Sequence, residues 1–405
     1  MFILTATLIF NPSTENDSGF STQLDRAASQ FVNRNAVCET RSSRSAELLA
    51  RYSDSILKKN AKVASDDSDK EAAMSEVITI FKFIDEKDVF MEFYAKLFGN
   101  RLVKEISASE DNEETMIKKL KEECGHEYTS RLQKMFKDIV VSRTHTEEFK
   151  NKTRNNNSLK VDFSIKVLTT GHWNYKPSNP FILPIEIKAC QDQFLQHYSQ
   201  KHSGRKLTWI FAHSRCEVKF FPKAEQANFF IFTTTTHQLS ILSIFNQKSS
   251  YAVDEIRSLT EIETENDYLY KIIAQLLKTK ILTSSATGSE LPSGNDQISV
   301  NEAYKSKKKK MNISQPIKQE TKTESDLTVK RVEEDRGLAT QAAIVRIMKM
   351  RQRLNHNNLI TAVVEQLQAR FTARVPLIKK QIEILVEKEY IARVDGERDM
   401  YEYLA

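Results

Sequence analysis

The stretch "PLIKKQIEILVEKEYIARVDGERDMYEYLA", Pro376–Ala405, decides how the C-terminal part folds. Pro376 suits the first position of a helix, because that position needs no backbone N–H. "IARVDGERDMYEYLA" then reads as two short strands turning around Asp395-Gly396. Upstream, helical patterns cover 338–353 and 358–371. Three helices and a terminal hairpin make a winged helix over 336–405. A less distinct module of the same kind is expected over 233–285, from "TTTHQLSILSIFN", "VDEIRSL" and "DYLYKIIAQLLKTKIL".

Outward from this end the period of the hydrophobic pattern changes twice. Residues 16–142 read as successive amphipathic helices, a helical bundle. "AELLARYSDSILKK" and "EVITIFKFIDEKDVFMEFYAKLF" are two of them. "SEDNEETMIKKLKEECG" carries its own start and stop: Ser109 or Asp111 as cap, acids in the first turn, Gly125 past the end. Residues 143–158, with "NKTRNNNS", are polar and expected to be a loop. In "LKVDFSIKVL" Val161, Phe163, Ile165 and Val167 share one face, and Lys160, Asp162, Ser164 and Lys166 the other, as in a half-buried strand. "IEIKACQDQFLQHYSQKH" is helical, and "RKLTWIF" with "CEVKFFP" suggests a hairpin closed by "AHSR". Residues 159–232 are therefore an α/β sheet domain. Residues 286–335 are a charged linker with room for one strand. The fold class is α+β and multidomain, with residues 1–15 unassigned.

Composition narrows the function. Sixty basic residues against 54 acidic give a net charge of +6, which permits an acidic partner without requiring nucleic acid. Cys38, Cys124, Cys190 and Cys216 are far apart and include no C-x-x-C, so neither a disulfide framework nor a structural zinc site is expected. They read as reduced intracellular thiols. "MFILTATLIF" is too short to span a bilayer and lacks the basic flank of a signal peptide. No P-loop, G-x-G-x-x-G, G-x-S-x-G or H-E-x-x-H occurs, so the expectation is a non-catalytic protein with no cofactor. His202, in "KHSGRK", reads as a surface or hydrogen-bonding histidine, and Cys124 as a helix-end thiol.

The alternative is a nuclear winged-helix protein that binds DNA. Its third helix would carry Lys379, Lys380 and Lys388 but also Glu383, Glu387 and Glu389. Anions on a groove-facing helix repel phosphates, so this reading ranks second. A third option is a scaffold whose 159–168 segment accepts a partner's strand.

Several stretches resemble the C-terminal half of the cullin family, the scaffolds of multi-subunit ubiquitin ligases, and are most similar to the cullin of SCF-type ligases. They are "ELLARYSDSILKK", "KDVFMEFYAKLFGNRLV", "EYTSRLQKMFKDI", "HSGRKLTWIF", "QAAIVRIMKMRQRLNH" and the C-terminal stretch quoted above. The resemblance implies a scaffold that binds a RING-box protein by strand addition, placing Val161, Phe163, Ile165, Val167, Leu207 and Trp209 at that interface. It implies attachment of a Nedd-type ubiquitin-like modifier by its own conjugation machinery to Lys349, within "IVRIMK", and so activation for ubiquitin-dependent protein degradation. Arg346, Ile347, Met348 and Arg351 form the acceptor's surroundings. Only a neutral amine attacks, and Arg346, Arg351 and Arg353 would help to expel its proton. The basic run Lys307, Lys308, Lys309 and Lys310 would attract an acidic ubiquitin-conjugating enzyme, and any zinc would belong to the RING partner. The expected location is cytoplasmic and nuclear, with no membrane partner. The family's N-terminal half, which binds adaptors and substrate receptors, has no counterpart in this text, so those partners are not expected and a competitor for the RING-box protein stays open. Gly99 inside an expected helix costs about 1 kcal/mol relative to alanine.

Overall fold

The computed structural model describes residues 18–404 apart from 40, 60–65, 157–158, 160, 176, 212, 224–228, 286–290, 315–319, 369, 395 and 398. The expectations for residues 1–15, Lys160 and Asp395 lie outside these. Two compact units emerge: residues 1–137 with 318–405, and residues 138–317.

In the first unit the chain forms α1 (Ser18–Asn33), α2 (Arg44–Ile56), α3 (Asp67–Phe83), α4 (Lys87–Lys104) and the start of α5 (Glu110–Asn156). The single long helix expected across "EVITIFKFIDEKDVF" is split, because Ile84 is extended and α4 starts afresh at Lys87 after the N-cap residue Glu86. α4 runs through Gly99 without interruption. α5 starts with Ser109 Oγ accepting from the Asn112 N–H (3.1 Å). It bends at Gly125, whose φ of 81° and ψ of 175° suit glycine far better than residues with a Cβ.

Between α2, α4 and α5 sits a buried ion cluster. Arg101 has no exposed surface, yet its guanidinium grips Glu113 through Nε (2.7 Å) and Nη2 (2.8 Å) and Asp54 through Nη1 (2.8 Å). Burial works against its charge, but Glu113 and Asp54 outweigh it and raise the Arg101 pKa. Ser107 donates to Glu113 (2.7 Å) and Lys58 to Asp54 (2.5 Å), so both carboxylates are further satisfied.

The same unit ends in α10 (Glu320–Arg351), β7 (Arg353–Asn355), α11 (His356–Leu367), α12 (Val375–Glu387), β8 (Ile391–Arg393) and β9 (Met400–Tyr403). The strands form an antiparallel sheet in the order β7–β9–β8. Ile344, Met348, Leu359, Val363, Ile378, Ile382, Ile391 and Tyr401 make its core. Arg336 on α10 clasps Asp88 on α4 with two bonds (2.5 and 2.7 Å) and lies 5.0 Å from the Phe371 ring centre.

The second unit holds the rest of α5, α6 (Ile185–Lys201), β1 (Cys216–Phe220), β2 (Phe230–Thr234), α7 (Thr236–Ile244), β3 (Ser250–Ala252), α8 (Val253–Thr260), α9 (Tyr268–Lys278), β4 (Leu282–Ser284), β5 (Gln297–Val300) and β6 (Lys310–Asn312). β1 pairs antiparallel with β2, and β2 parallel with β6. From α7 to β5 the order is helix, strand, helix, helix, hairpin, with sheet order β3–β5–β4. This repeats the order of α10 to β9 strand for strand.

Four expectations are corrected. Residues 143–156 are helical, not a loop, because Phe149 anchors them in an aromatic cluster and Thr153 bonds the Phe149 carbonyl (2.9 Å). "RKLTWIF" and "CEVKFFP" form no hairpin: β1 takes "FIFTT" as its partner, whose Phe230 and Phe232 are buried core. Residues 286–335 are not simply a linker, since β5, β6 and the first half of α10 fall there. The first module accordingly extends past residue 285 to Val300, where β5 supplies the centre of its sheet.

Candidate functional site

Two places draw the expected site residues together, one in each unit. In the second unit, Phe149 on α5 and Phe194 and Tyr198 on α6 form a small buried cluster. Phe149 and Phe194 meet edge to face, with ring centres 5.3 Å apart. Phe163, Ile165 and Val167 pack on this cluster from one side of the chain, and Leu207 and Trp209 from another. Val161 does not join them: it is exposed. Phe163, Ile165 and Val167 are half-buried and Ser164 exposed as the alternation predicts, but Lys166 is half-buried too.

Residues 162–168 form neither helix nor strand and have no strand partner among the described residues, yet Ile165 and Val167 bond α5 at the two-residue spacing of an extended chain. Their backbone is held instead by α5. Ile165 donates its N–H to Thr146 Oγ1 (3.2 Å), and its carbonyl accepts from the same hydroxyl (2.9 Å). Val167 donates its N–H to Ser142 Oγ (2.8 Å), whose proton is shared between the Asp138 carbonyl (2.6 Å) and the Val167 carbonyl (3.1 Å). Asp138 accepts from the Thr169 N–H, the Thr169 hydroxyl and the Trp173 indole, each at 2.8 Å. At the other end Lys150 pairs with Asp162 (2.5 Å). In an extended chain alternate residues direct their N–H and C=O to opposite edges. Ile165 and Val167 face α5, so Ser164 faces away, and it is exposed. Residues 206–211 likewise form neither helix nor strand and have no strand partner among the described residues. There the Trp209 carbonyl accepts from the Ser178 N–H (3.5 Å), and Phe211 N–H donates to the Ser178 hydroxyl (2.8 Å).

In the first unit, Lys349 is exposed in the last turn of α10, with Arg346 and Arg351 exposed beside it. Ile347 and Met348 point the other way, into the core. Gln352 closes the helix with φ 66°, and its side chain donates to the Lys349 carbonyl (2.8 Å). Tyr403 N–H donates to the Gln352 carbonyl (2.9 Å), which ties this helix end to β9. Arg353, expected beside the amine, is engaged by Glu402 (2.9 Å). An open groove of about 830 Å³ runs next to Lys349, with Leu338, Val345 and Leu385 in its wall and Arg346, Lys388 and Tyr390 around it.

Of the basic run, Lys307, Lys308 and Lys309 are exposed and Lys310 is not a loose charge. It sits in β6 and pairs with Glu217 of β1 (2.5 Å). His202 lies tilted against Tyr198 (ring centres 4.5 Å) and meets His145 edge to face (5.3 Å), so it belongs to the α5–α6 packing. Burial pushes the Cys124 thiol up to about 11, far from a thiolate nucleophile. Sequence reasoning missed Asp138, Ser142 and Thr146. Polar residues at four-residue spacing in "KDIVVSRTHT" were the available signal, hidden because the second half of that stretch was read as a loop.

Three family models match successive parts of the chain. Residues 5–146 match the cullin alpha solenoid domain, 167–304 the cullin alpha+beta domain and 335–397 the cullin protein neddylation domain. The chain is 42% identical over 396 residues to Cullin-1 of Dictyostelium discoideum, covering 96% of this chain and 51% of that protein. It is 39% identical over 409 residues to Cullin-1 of Caenorhabditis elegans (98% and 51%). With Cullin-1 of Schizosaccharomyces pombe it shares 41% over 398 residues (98% and 51%). The chain spans about half the length of the curated relatives it matches. With three consecutive cullin domains and this likeness along nearly all of its length, the chain belongs to the cullin family.

Proposed function

We propose that the chain is a non-catalytic scaffold of a cullin–RING ubiquitin ligase, acting in ubiquitin-dependent protein degradation in cytoplasm and nucleus. The two modules of shared topology, α7 to β5 and α10 to β9, are read as winged helices. The 162–168 segment accepts an extended strand of a RING-box protein on the edge that faces away from α5. Phe163, Ile165, Val167, Leu207 and Trp209 then act from beneath, by fixing the receiving backbone on the aromatic cluster. The RING partner carries the zinc and recruits a ubiquitin-conjugating enzyme, with Lys307, Lys308 and Lys309 supplying attraction to acidic surface. Catalysis rests on holding that enzyme near a substrate.

Lys349 is the acceptor for the ubiquitin-like modifier. The observation that carries this is its placement: an exposed primary amine on a helix end pinned to β9, inside the segment that matches the neddylation domain. Its nitrogen, once neutral, attacks the activated C-terminal carbonyl of the modifier. An isopeptide bond forms, the conjugating enzyme's thiol leaves, and the amine's proton passes to solvent. Arginine cannot substitute, because guanidinium stays protonated. The test is co-expression with a RING-box protein and the modifier's conjugation enzymes. The unsubstituted chain should co-purify with the RING-box protein and gain the modifier's mass, and Lys349→Arg should keep the first and lose the second. A mass gain that survives Lys349→Arg would refute the assignment. DNA binding is not favoured: Glu383 on α12 pairs with Arg393 (2.5 Å), so this helix spends a cation on its own anion.

A further inference from the structure

We propose that α5 serves as a surrogate neighbouring strand for residues 162–169, with Asp138, Ser142 and Thr146 as positioning residues that decide which edge, and which register, is left for an incoming strand. This rests on the strand-addition reading above and gives it a mechanism.

An isolated extended segment has two edges, each with unpaired donors and acceptors. It can slip by one residue, which would turn every side chain over. Here one edge is filled by a helix. Thr146 bonds both backbone groups of Ile165, as a paired strand would; Ser142 accepts from the Val167 N–H (2.8 Å) and shares its one proton between the Asp138 carbonyl of its own helix (2.6 Å) and the Val167 carbonyl (3.1 Å). Asp138 then takes the Thr169 N–H. One helical turn on α5 thus answers two residues on the segment, and the two run antiparallel. The hydroxyl is the suitable group, because it both donates and accepts. A serine or threonine that merely bonded its own helix would do neither for Ile165, and Thr146 has no bond to its own helix among the described residues.

Three consequences follow for the partner. The backbone groups of Ile165 and Val167 face α5, so pairing uses the opposite side, on which the exposed Ser164 lies. The Phe163, Ile165 and Val167 side chains pack on the aromatic cluster, which opposes a slip in register. The edge is extended before the partner arrives, so less ordering is needed on binding.

The test uses the whole chain and two readouts. Residue-resolved hydrogen exchange on the free chain should show Ile165 and Val167 amides protected relative to Ser164. Ser142→Ala with Thr146→Val should lower that protection about tenfold, and binding to a RING-box protein should weaken by about tenfold as well. Thr146→Val alone changes shape least and serves if the pair impairs folding; it should expose Ile165 and leave Val167 protected. The exchange Ser142→Thr with Thr146→Ser keeps both hydroxyls and should restore both readouts. Unchanged protection in the hydroxyl-free variant overturns the surrogate strand. Lost protection with unchanged RING-box affinity overturns its positioning role. Failure of the unsubstituted chain to bind any RING-box protein overturns the strand-addition reading and the role given to the open edge, while the exchange data still decide whether α5 holds the segment.

Discussion

Replacing Arg101 by methionine removes the one cation that the buried cluster shares between two carboxylates. The side chain makes three charge-assisted bonds of 2.7–2.8 Å, two to Glu113 and one to Asp54. The two acids are not left in the same position. Asp54 keeps Lys58, whose ammonium is 43% exposed and hydrated. Glu113 has no exposed surface and keeps only the neutral Ser107 hydroxyl. Breaking a buried ion pair typically costs about 3–5 kcal/mol, mostly because a charge remains without a partner. With a single true orphan, the expected loss is about 3–4 kcal/mol. The source of that cost can be separated from lost packing. Methionine retains much of the aliphatic volume against Tyr94 and Phe98, whose rings the guanidinium now faces. Adding Glu113→Gln removes the orphaned charge and should recover at least half of the loss, although Glu113→Gln alone should itself destabilise. Urea unfolding followed by far-ultraviolet circular dichroism measures all four corners of the cycle. Both tryptophans, Trp173 and Trp209, lie in the second unit, so fluorescence records that unit separately. A loss below about 1 kcal/mol in Arg101→Met, or no recovery on adding Glu113→Gln, would refute the argument that an uncompensated carboxylate dominates.

Two further outcomes are expected. Arg336→Met should destabilise the first unit by about 2–4 kcal/mol, since Asp88 and Glu86 are only 18% and 14% exposed; Arg336→Lys should recover less than half, because an ammonium cannot make the paired bonds, and full recovery in urea titrations would count against bidentate recognition. Burial pushes the His237 pKa down to about 4, so the folded chain refuses a proton that the unfolded chain accepts. Stability present above about pH 6.5 is then lost as the pH falls towards 4, by up to about 3 kcal/mol, and His237→Phe should flatten that part of the pH profile; an unchanged slope would sink the assignment.

The sequence was most legible where a local rule and the tertiary setting agree. Gly125 was expected to end a helix, and it takes a positive φ there. The stretch from Pro376 was expected to give a helix and a hairpin, and it gives α12, β8 and β9. In "IVRIMK" helical spacing separates Lys349 and Arg346, which are exposed, from Ile347 and Met348, which are core. Alternation was less informative, because it reports which face is buried and not which chain is the neighbour. Leu207 and Trp209 do face inward, yet their segment does not pair with β1. The first half of α10 carries few apolar residues, so its composition matched a linker as well as a helix. Residues 143–156 were misread for a related reason: Thr146 bonds the backbone of another segment, and Glu148, Lys150 and Lys152 pair with side chains of other segments, which no local pattern reveals.

The pairing of α5 with an extended chain also works as a vernier. Four helical residues advance about 6.0 Å, whereas two strand residues advance about 6.6 Å. Each rung therefore falls out of step by about 0.6 Å, which already exceeds the tolerance of a short hydrogen bond. The short, rigid hydroxyls of Ser142 and Thr146 occupy the two central rungs, where the scales coincide. Beyond them the contacts pass to Asp138 on one side and to the long arm of Lys150 reaching Asp162 on the other. Three steps from Asp138 to Lys150 accumulate about 2 Å, so no further rung could be read by a serine or threonine. The stretch that α5 can hold in this way is thereby limited to about eight residues by the arithmetic of two periodicities.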